Sequence, residues 1–533
     1  MKHHKKIKTI EIQDLLQFAL KNHRAGNFSE AETIYRKIIN RYPKQADALH
    51  LLGLIEYQKK NYEVAELLMR KAIICDKNVP FFFLNLGNVL RDQGRVNEAI
   101  EYYKKAIKVK PDFAEARYNL ANELFRKGIY EEAIYNYKTA ISLNPSVAEF
   151  HFNLARALQE LARYEESANS YEKALSLKPY YPEAFYNLGF IFQEMKKYPE
   201  SASYYIKAIH MKPDYEVAYY NLGDVLNEME KFEEAEIYLK KAVSIKPDFA
   251  EAYNNLSISL RNQGKIEEAL EASKKALEIR SDFAEAYNNL GIAFRSMGNI
   301  DEAIRSFNNA LTVNPNLAEA HFNMALALLS SGDFRNGWKK YEWRFLKKNA
   351  IFRDIRIPLW DGTPHNDKTI FVYSEQGIGD EIMFISCLPD LIKVSGSHVV
   401  VECDKRLIPL FSRSFPDAEF VERGSKFQKY DFRIPIGSLA KFYRNSLNDF
   451  PEKKFYLIPD VQKLINWKKR LNELGSGLKV GISWRGGKDP GARNLRSTNL
   501  EKWLPVFSVQ GVKFVNLQYG DCSKEIEDIY EKH

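Results

Sequence analysis

The sequence predicts an α-solenoid of roughly ten two-helix repeats, followed by a smaller α/β domain. Three observations predict this organisation. All six tryptophans lie beyond residue 335, where a regular 34-residue spacing ends. Beyond that point, apolar strand patterns alternate with glycine loops and helical segments, as in a parallel sheet. Before it, an asparagine recurs every 34 residues, at Asn85, Asn119, Asn153, Asn187, Asn221, Asn255, Asn289 and Asn323.

Two series of small residues share this spacing. The first is Ala31, Ala65, Ala99, Ala133, Ser167, Ser201, Ala235, Ala269 and Ala303, and the second is Ala72, Ala106, Ala140, Ala174, Ala208, Ala242, Ala276 and Ala310. Small side chains at a fixed point of each helix let neighbouring helices approach closely. Prolines end the second helix of most repeats, at Pro43, Pro111, Pro145, Pro179, Pro213, Pro247 and Pro315. Glycines supply the turn inside most repeats, at Gly26, Gly94, Gly128, Gly264, Gly298 and Gly332. Together these spacings place the solenoid over residues 11–345.

This pattern resembles the tetratricopeptide repeat, and the asparagine before Leu-Gly is similar to the repeats of the O-linked N-acetylglucosamine transferases. In such repeats the first helix lines the inner wall of the superhelix, so the resemblance implies one amide per repeat along a groove. An amide offers both a donor and an acceptor, which suits binding of a polypeptide backbone. We therefore predict that the eight asparagines bind a peptide. The alternative is that each asparagine bonds to a neighbouring helix. Leu51 replaces the asparagine in the second repeat.

After a connector at residues 346–366, a Rossmann-like lobe is predicted over 367–466 and an incomplete second lobe over 467–533. Strands are predicted at 369–373, 398–403, 418–421, 430–434, 479–483 and 513–518, with a loop at 375–380 and a helix at 381–393. The loop holds Gly377, Gly379 and Asp380 at the carboxyl end of the first strand, where ligands bind in such sheets. Its two glycines allow a tight turn and close approach of the backbone. Ile382 stands where a dinucleotide fingerprint has its third glycine, so this fingerprint is excluded.

Three segments carry a second resemblance: Gly337 to Arg344, Pro358 to Gly362, and Glu375 to Asp380. They resemble bacterial tetratricopeptide proteins with a glycosyltransferase domain similar to the heptosyltransferases. The resemblance implies a GT-B fold of two facing lobes, a nucleotide-sugar as co-substrate and no other cofactor. It places Asp380 where that family has its proposed general base, although an Asp at a helix start is also a favoured cap. On the second lobe, the run from Ser483 to Gly487, followed by Arg493 and Arg496, resembles the family segment that faces the donor. We therefore expect Arg485, Arg493 and Arg496 to bind the donor phosphates, together with the backbone of Gly377 and Gly379 before the positive end of a helix.

Two functions follow from these patterns. One is a glycosyltransferase whose solenoid binds a protein or glycan acceptor; the other is a scaffold without catalysis. Only two strands of the second lobe precede His533, so we expect a truncated or inactive domain, and the assignment as an enzyme stays open.

Composition narrows the classes of partner. Lysine and arginine alternate with acidic residues, which leaves a net charge of only +8 and argues against nucleic-acid binding. No apolar run approaches the roughly 20 residues of a membrane span, so a cytoplasmic location is expected. The four cysteines are scattered, so no metal site is predicted.

Overall fold

The computed structural model describes residues 2–348, 350, 353–425, 429–452, 455–486 and 497–532. The chain divides into two compact units, Met1–Leu222 and Gly223–His533, each considered by itself below. The division falls within one helix, Glu216–Glu228.

The first unit is built from antiparallel helix pairs, one pair to each repeat. Its helices are α1 (Lys2–Arg24), α2 (Phe28–Arg41), α3 (Ala46–Gln58), α4 (Tyr62–Cys75), α5 (Pro80–Asp92), α6 (Val96–Val109), α7 (Ala114–Arg126), α8 (Tyr130–Leu143), α9 (Ala148–Glu160), α10 (Tyr164–Leu177), α11 (Pro182–Glu194), α12 (Tyr198–Met211) and the start of α13 (Glu216–Glu228).

The second unit continues the same pattern before it changes to mixed structure. Its paired helices are α14 (Phe232–Ile245), α15 (Ala250–Asn262), α16 (Ile266–Ile279), α17 (Ala284–Ser296), α18 (Ile300–Val313), α19 (Ala318–Ser330) and α20 (Phe334–Tyr341). The predicted helical repeats are therefore confirmed within each unit.

Both series of small residues are buried at the contacts between helices, as predicted. Where serine replaces alanine, the hydroxyl finds a partner: Ser201 Oγ donates to the carbonyl of Gly189 at 2.7 Å. The glycine of Asn-Leu-Gly makes room for an aromatic ring, a role that was not predicted from the sequence. A Cβ on Gly189 would lie 2.6 Å from the ring of Tyr205, a fully buried residue of the second helix. The first helix therefore needs a small residue where the aromatic ring packs against it.

The turn inside each repeat has one residue in the left-handed region, for which glycine is favoured. The six glycines predicted for these turns all have φ between +75° and +87°. In four other repeats, Lys60, Ala162, Lys196 and Glu230 hold the same place with φ between +54° and +62°. These four turns form without glycine, at a cost in backbone strain.

A four-stranded parallel sheet follows the last repeat, in the order β3-β2-β1-β4. Its strands are β1 (Thr369–Tyr373), β2 (His398–Cys403), β3 (Glu419–Glu422) and β4 (Phe432–Pro435). Its helices are α21 (Ile378–Phe384), α22 (Leu388–Ser395), α23 (Ile408–Ser414) and α24 (Ala440–Tyr443).

A separate pair of parallel strands, β5 (Leu478–Ile482) and β6 (Val512–Asn516), forms the second sheet. It is accompanied by α25 (Val461–Glu473), α26 (Leu504–Phe507) and α27 (Ser523–Lys532). The boundary predicted between residues 466 and 467 falls inside α25.

The last repeat shares a hydrophobic core with the four-stranded sheet. Trp338 and Tyr341 of α20 pack in one cluster with Ile370 and Val372 of β1. Trp338 Nε1 also donates to the carbonyl of Arg444, at 2.8 Å. The Gly337 to Arg344 segment therefore joins the repeats to the sheet.

The predicted division of residues 375–393 into a loop and one helix was wrong. The helix begins earlier, at Ile378, and a 3-10 turn at Ile385–Cys387 separates it from a second helix that begins at Leu388. Pro389 stands in the first turn of that second helix, where its missing N–H is not needed.

Candidate functional site

The recurring asparagines lie on the first helix of each repeat and are buried or half-buried. In seven of the eight the amide nitrogen bonds to the preceding repeat. Asn119 Nδ2 donates to Asn88 Oδ1 at 3.1 Å. Asn153 Nδ2 donates to the hydroxyl of Tyr118 at 2.7 Å and to Asn122 Oδ1 at 3.2 Å.

The same arrangement recurs at both ends of the series. Asn289 Nδ2 donates to Asn254 Oδ1 at 2.8 Å, and Asn323 Nδ2 donates to Asn288 Oδ1 at 3.0 Å. At the N-terminal end, Asn85 bonds to Nε2 of the buried His50 at 2.9 Å.

These contacts give the asparagines a structural role, the alternative considered from the sequence. Each bond occupies the amide nitrogen. Among the described residues, nothing donates to the Oδ1 atoms of Asn119, Asn153, Asn289 or Asn323. A carbonyl oxygen can accept two hydrogen bonds, so these atoms can also receive N–H groups of a bound chain. Peptide binding by the asparagines stays a prediction.

A second concentration of polar groups lies beyond the carboxyl ends of β1 and β4. The guanidinium of Arg344 donates to Glu375 Oε1 at 2.9 Å and to the hydroxyl of Ser438 at 2.8 Å. Arg344 also pairs with Glu342 at 2.7 Å. Burial raises the pKa of Glu375 even though Arg344 is its neighbour. Glu375 Oε2 is buried and accepts no hydrogen bond from any described residue.

Two further buried carboxylates are held by arginines at this edge. Arg353 Nη2 donates to Glu402 Oε2 at 3.0 Å. Glu381, fully buried in α21, accepts from Arg423 and from the hydroxyl of Ser374. Because an unpaired buried charge costs several kcal/mol, about 3–5, these pairs fix the loops that they join.

A cavity of about 470 Å³ opens beside these groups. Its walls combine apolar side chains such as Trp360 and Phe442 with the charged Glu375, Arg433 and Lys441. This location is the usual ligand site of a parallel sheet. The arrangement suits a ligand with an apolar face and a few polar groups.

The sequence predicted that Asp380 lies in a loop before the helix. In the structure it lies in the first turn of α21. Its Oδ2 accepts from the backbone N–H of Gly377, the residue that caps the helix, at 3.2 Å. The negative charge of Asp380 is also stabilised by the positive end of the helix dipole. Its catalytic role stays a prediction.

The tight turn predicted for the two glycines is not observed, whereas close approach of the backbone to a ligand stays a prediction. Gly377 has φ −79° and ψ 169°, which is extended backbone, and Gly379 is not in the left-handed region either. A Cβ on Gly379 would meet no atom within 4 Å. The turn does not need glycine, and the space above Gly379 is open to a ligand.

Of the predicted donor-binding arginines, Arg485 follows β5 and is already engaged. It pairs with Glu525 of α27 at 3.2 Å and donates to the carbonyl of Asp521 at 2.9 Å. The described residues show no contact between Arg485 and the Gly377 to Asp380 segment. Arg493 and Arg496 lie outside the described residues.

The charged groups around Glu375 were missed from the sequence. Arg344 and Glu375 were both noted inside motifs, but their pairing joins residues 31 positions apart. The sequence held no signal for this pairing beyond the presence of both residues in segments that carry the resemblance.

Over the described residues, none of the helices combines the length and the apolar character that crossing a bilayer requires.

Taken together, paired helices at a 34-residue interval define a helical-repeat protein. Sequence profiles described as TPR or tetratricopeptide repeat match this chain at residues 23–80, 87–128, 121–162, 160–196, 180–248, 238–271, 259–298 and 284–317. The chain therefore belongs to the tetratricopeptide repeat proteins.

Similarity to individual proteins is confined to part of the chain. Protein FlbA of Caulobacter vibrioides is 33% identical over 209 residues, which is 36% of this chain and 35% of FlbA. The chain thus spans about a third of the length of that relative. Among solved structures, YrrB, described as a TPR protein with an unusual peptide-binding site, is 27% identical with a TM-score of 0.32, covering 34% of this chain and 95% of YrrB. PilF of Pseudomonas aeruginosa is 20% identical with a TM-score of 0.36, covering 40% of this chain and 97% of PilF.

Proposed function

We propose that the protein is a scaffold that binds an extended polypeptide along the first helices of its repeats. The observation that carries this proposal is the series of inter-repeat asparagines. In Asn119, Asn153, Asn289 and Asn323 the amide nitrogen donates to the preceding repeat and the oxygen is able to accept. Repeated acceptors at a fixed interval suit the repeated N–H groups of a peptide backbone, whatever its side chains.

Burial supports this reading of the first helices. In α9, Asn153 is half-buried, so an amide there is partly shielded from water. A hydrogen bond formed in such a setting contributes more than one formed in bulk water. The second helices carry many exposed charged residues, as in α8 and α10, and suit contact with solvent.

The test begins with selection of binding peptides from a random displayed library on the immobilised full chain. Affinity of the selected peptides is then measured by fluorescence anisotropy. Replacing Asn119 and Asn153 with alanine removes two acceptors, so affinity should fall about tenfold or more. The matched control is Asn136→Ala, which removes a buried amide whose one partner among the described residues is the carbonyl of Glu132, within α8. The proposal fails if no peptide is selected, or if the control weakens binding as much as the double variant.

The cavity beyond β1 and β4 favours a second candidate, transfer of a sugar from a nucleotide-sugar to a protein or glycan acceptor. The strand order β3-β2-β1-β4 supports it, because doubly wound sheets place ligands beyond these strand ends. In this candidate Asp380 would take the proton of the acceptor hydroxyl as its oxygen attacks the anomeric carbon; the bond from that carbon to the diphosphate breaks, and the nucleoside diphosphate leaves.

The test is consumption of a panel of nucleotide-sugars by the full chain. Asp380→Asn keeps an oxygen that can accept from Gly377, so the helix cap survives while the base is lost; turnover should fall about a hundredfold or more. Asp460→Asn is the control, because Asp460 likewise caps a helix, α25, by accepting from Lys463 N. Absence of turnover with the unaltered chain rejects this candidate and leaves the scaffold untouched.

A further inference from the structure

Two arginines of the second unit lie in equivalent places on neighbouring first helices. Arg261 is in α15 and Arg295 is in α17, and these two helices pack against each other. Both side chains are half-buried. In the stretch of chain that the structure describes, neither guanidinium makes a hydrogen bond or an ion pair. An arginine in such a setting normally has a carboxylate or carbonyl partner.

An arginine at the same place in the first unit does have its partner. Arg91 in α5 donates from Nε to Asp92 Oδ1, at 2.8 Å. In α15 and α17 the residue after the arginine is Asn262 or Ser296, neither of which carries a charge. The later repeats therefore keep the guanidinium but lack the internal carboxylate.

Arg261 and Arg295 repel each other, and burial further disfavours their charged forms. Burial, and then repulsion by Arg295, lowers the pKa of Arg261 to about 10. Burial also lowers the pKa of Arg295. Both groups are charged at neutral pH, so an anion placed between them would relieve repulsion and recover the lost solvation.

The pair lies on the shielded side of its repeats. No residue of α15 from 251 to 262 is fully exposed, whereas Glu267, Glu268 and Glu271 of α16 are exposed. Arg261 and Arg295 are on the same two helices as the recurring asparagines Asn255 and Asn289.

We propose that Arg261 and Arg295 bind two acidic side chains of an extended polypeptide, one at each guanidinium. This inference rests on the proposed scaffold function and adds the chemistry of the partner. Packed helices are spaced about 8–10 Å apart, and an extended chain rises about 3.3 Å per residue. Two carboxylates separated by one or two residues therefore match the pair, as in Glu-x-Glu.

The probe is a fluorescent peptide, Gly-Ser-Glu-Ser-Glu-Ser-Gly, blocked at both ends, with a twin in which both glutamates are glutamines. The full chain should bind the glutamate peptide at least tenfold more tightly than its twin. Arg261→Gln or Arg295→Gln should remove most of that preference. Arg305→Gln is the control of equal charge: it lies in α18 of the same repeat as Arg295, is 71% exposed and pairs with Glu302.

A second variant tests the same idea without removing either arginine. Asn262→Asp together with Ser296→Asp supplies the internal carboxylates that Asp92 provides for Arg91. It should also abolish the preference for the glutamate peptide, with no loss of helical content by circular dichroism.

The outcomes separate the two proposals. Equal binding of both peptides, or an equal loss in Arg305→Gln, overturns the acidic site but leaves the scaffold intact. If neither probe binds and the displayed library also yields no ligand, both proposals fail.

Discussion

Two buried tyrosines, Tyr35 and Tyr103, occupy equivalent places two repeats apart but differ in what their hydroxyl groups contact. Both are fully buried. The hydroxyl of Tyr103 donates to Asn88 Oδ1 at 2.9 Å. The hydroxyl of Tyr35 has no partner among the described residues, because Leu20 stands where the other repeat has Asn88. Replacing each tyrosine with phenylalanine therefore removes a satisfied group in one case and an unsatisfied group in the other.

The magnitude follows from what each hydroxyl leaves behind. A buried hydrogen bond contributes about 0.5–1.5 kcal/mol net. Asn88 Oδ1 also accepts from Asn119, so it keeps one partner in Tyr103→Phe. We therefore expect a cost of about 0.5–1 kcal/mol for Tyr103→Phe, and no cost or a small gain for Tyr35→Phe.

The assay must be local, because a long repeat array does not unfold in one step. Native-state hydrogen exchange gives the opening free energy of individual helices. Tyr103→Phe should lower protection in α5 to α7 by about two- to fivefold, while Tyr35→Phe leaves α2 and α3 unchanged or better protected. Equal losses in the two variants would refute the reasoning from hydroxyl satisfaction.

Three further predictions concern the turns, the packing and the pH response of the repeats. Ala162→Gly should raise local stability by about 0.5–1 kcal/mol, because Ala162 is strained at φ +54°. Hydrogen exchange of α9 and α10 measures this stability, and reduced protection in the variant would contradict the prediction. Gly291→Val should destabilise by about 1–3 kcal/mol, because a Cβ there lies 2.6 Å from the ring of Phe307; an unchanged thermal unfolding profile would contradict it. Burial lowers the pKa of His50 to about 4, below its usual 6.5, so the folded state holds His50 neutral. As pH falls, His50 is protonated in the unfolded chain before it is protonated in the folded one. The stability of the region around α3 should therefore decrease between about pH 6.5 and 4, and more steeply than in His50→Gln. Identical dependence of stability on pH in the two proteins would contradict this prediction.

The repeats could be predicted closely because each element is determined locally and then repeated. The 34-residue spacing, the buried small residues and the left-handed glycines all follow from contacts between helices that are close in sequence. β1 and β2 were predicted with the bounds observed, since both are short apolar runs. The start of α21 was predicted too late because glycines are typical of loops. Gly377 instead caps the helix in an extended backbone conformation.

Contacts between distant residues were beyond this reasoning. Nothing local marks Arg344 as the partner of Glu375. Arg261 has no partner among the described residues because the next position carries no carboxylate, and this becomes visible only by comparison with the paired Arg91.

The location of a bound peptide tests the central claim most directly. A crystal structure of the full chain with its tightest selected peptide should show the peptide along α7 and α9, with backbone N–H groups about 2.9 Å from Oδ1 of Asn119 and Asn153. A peptide bound instead over α8 and α10, with both asparagines bonded only to neighbouring repeats, would contradict the account.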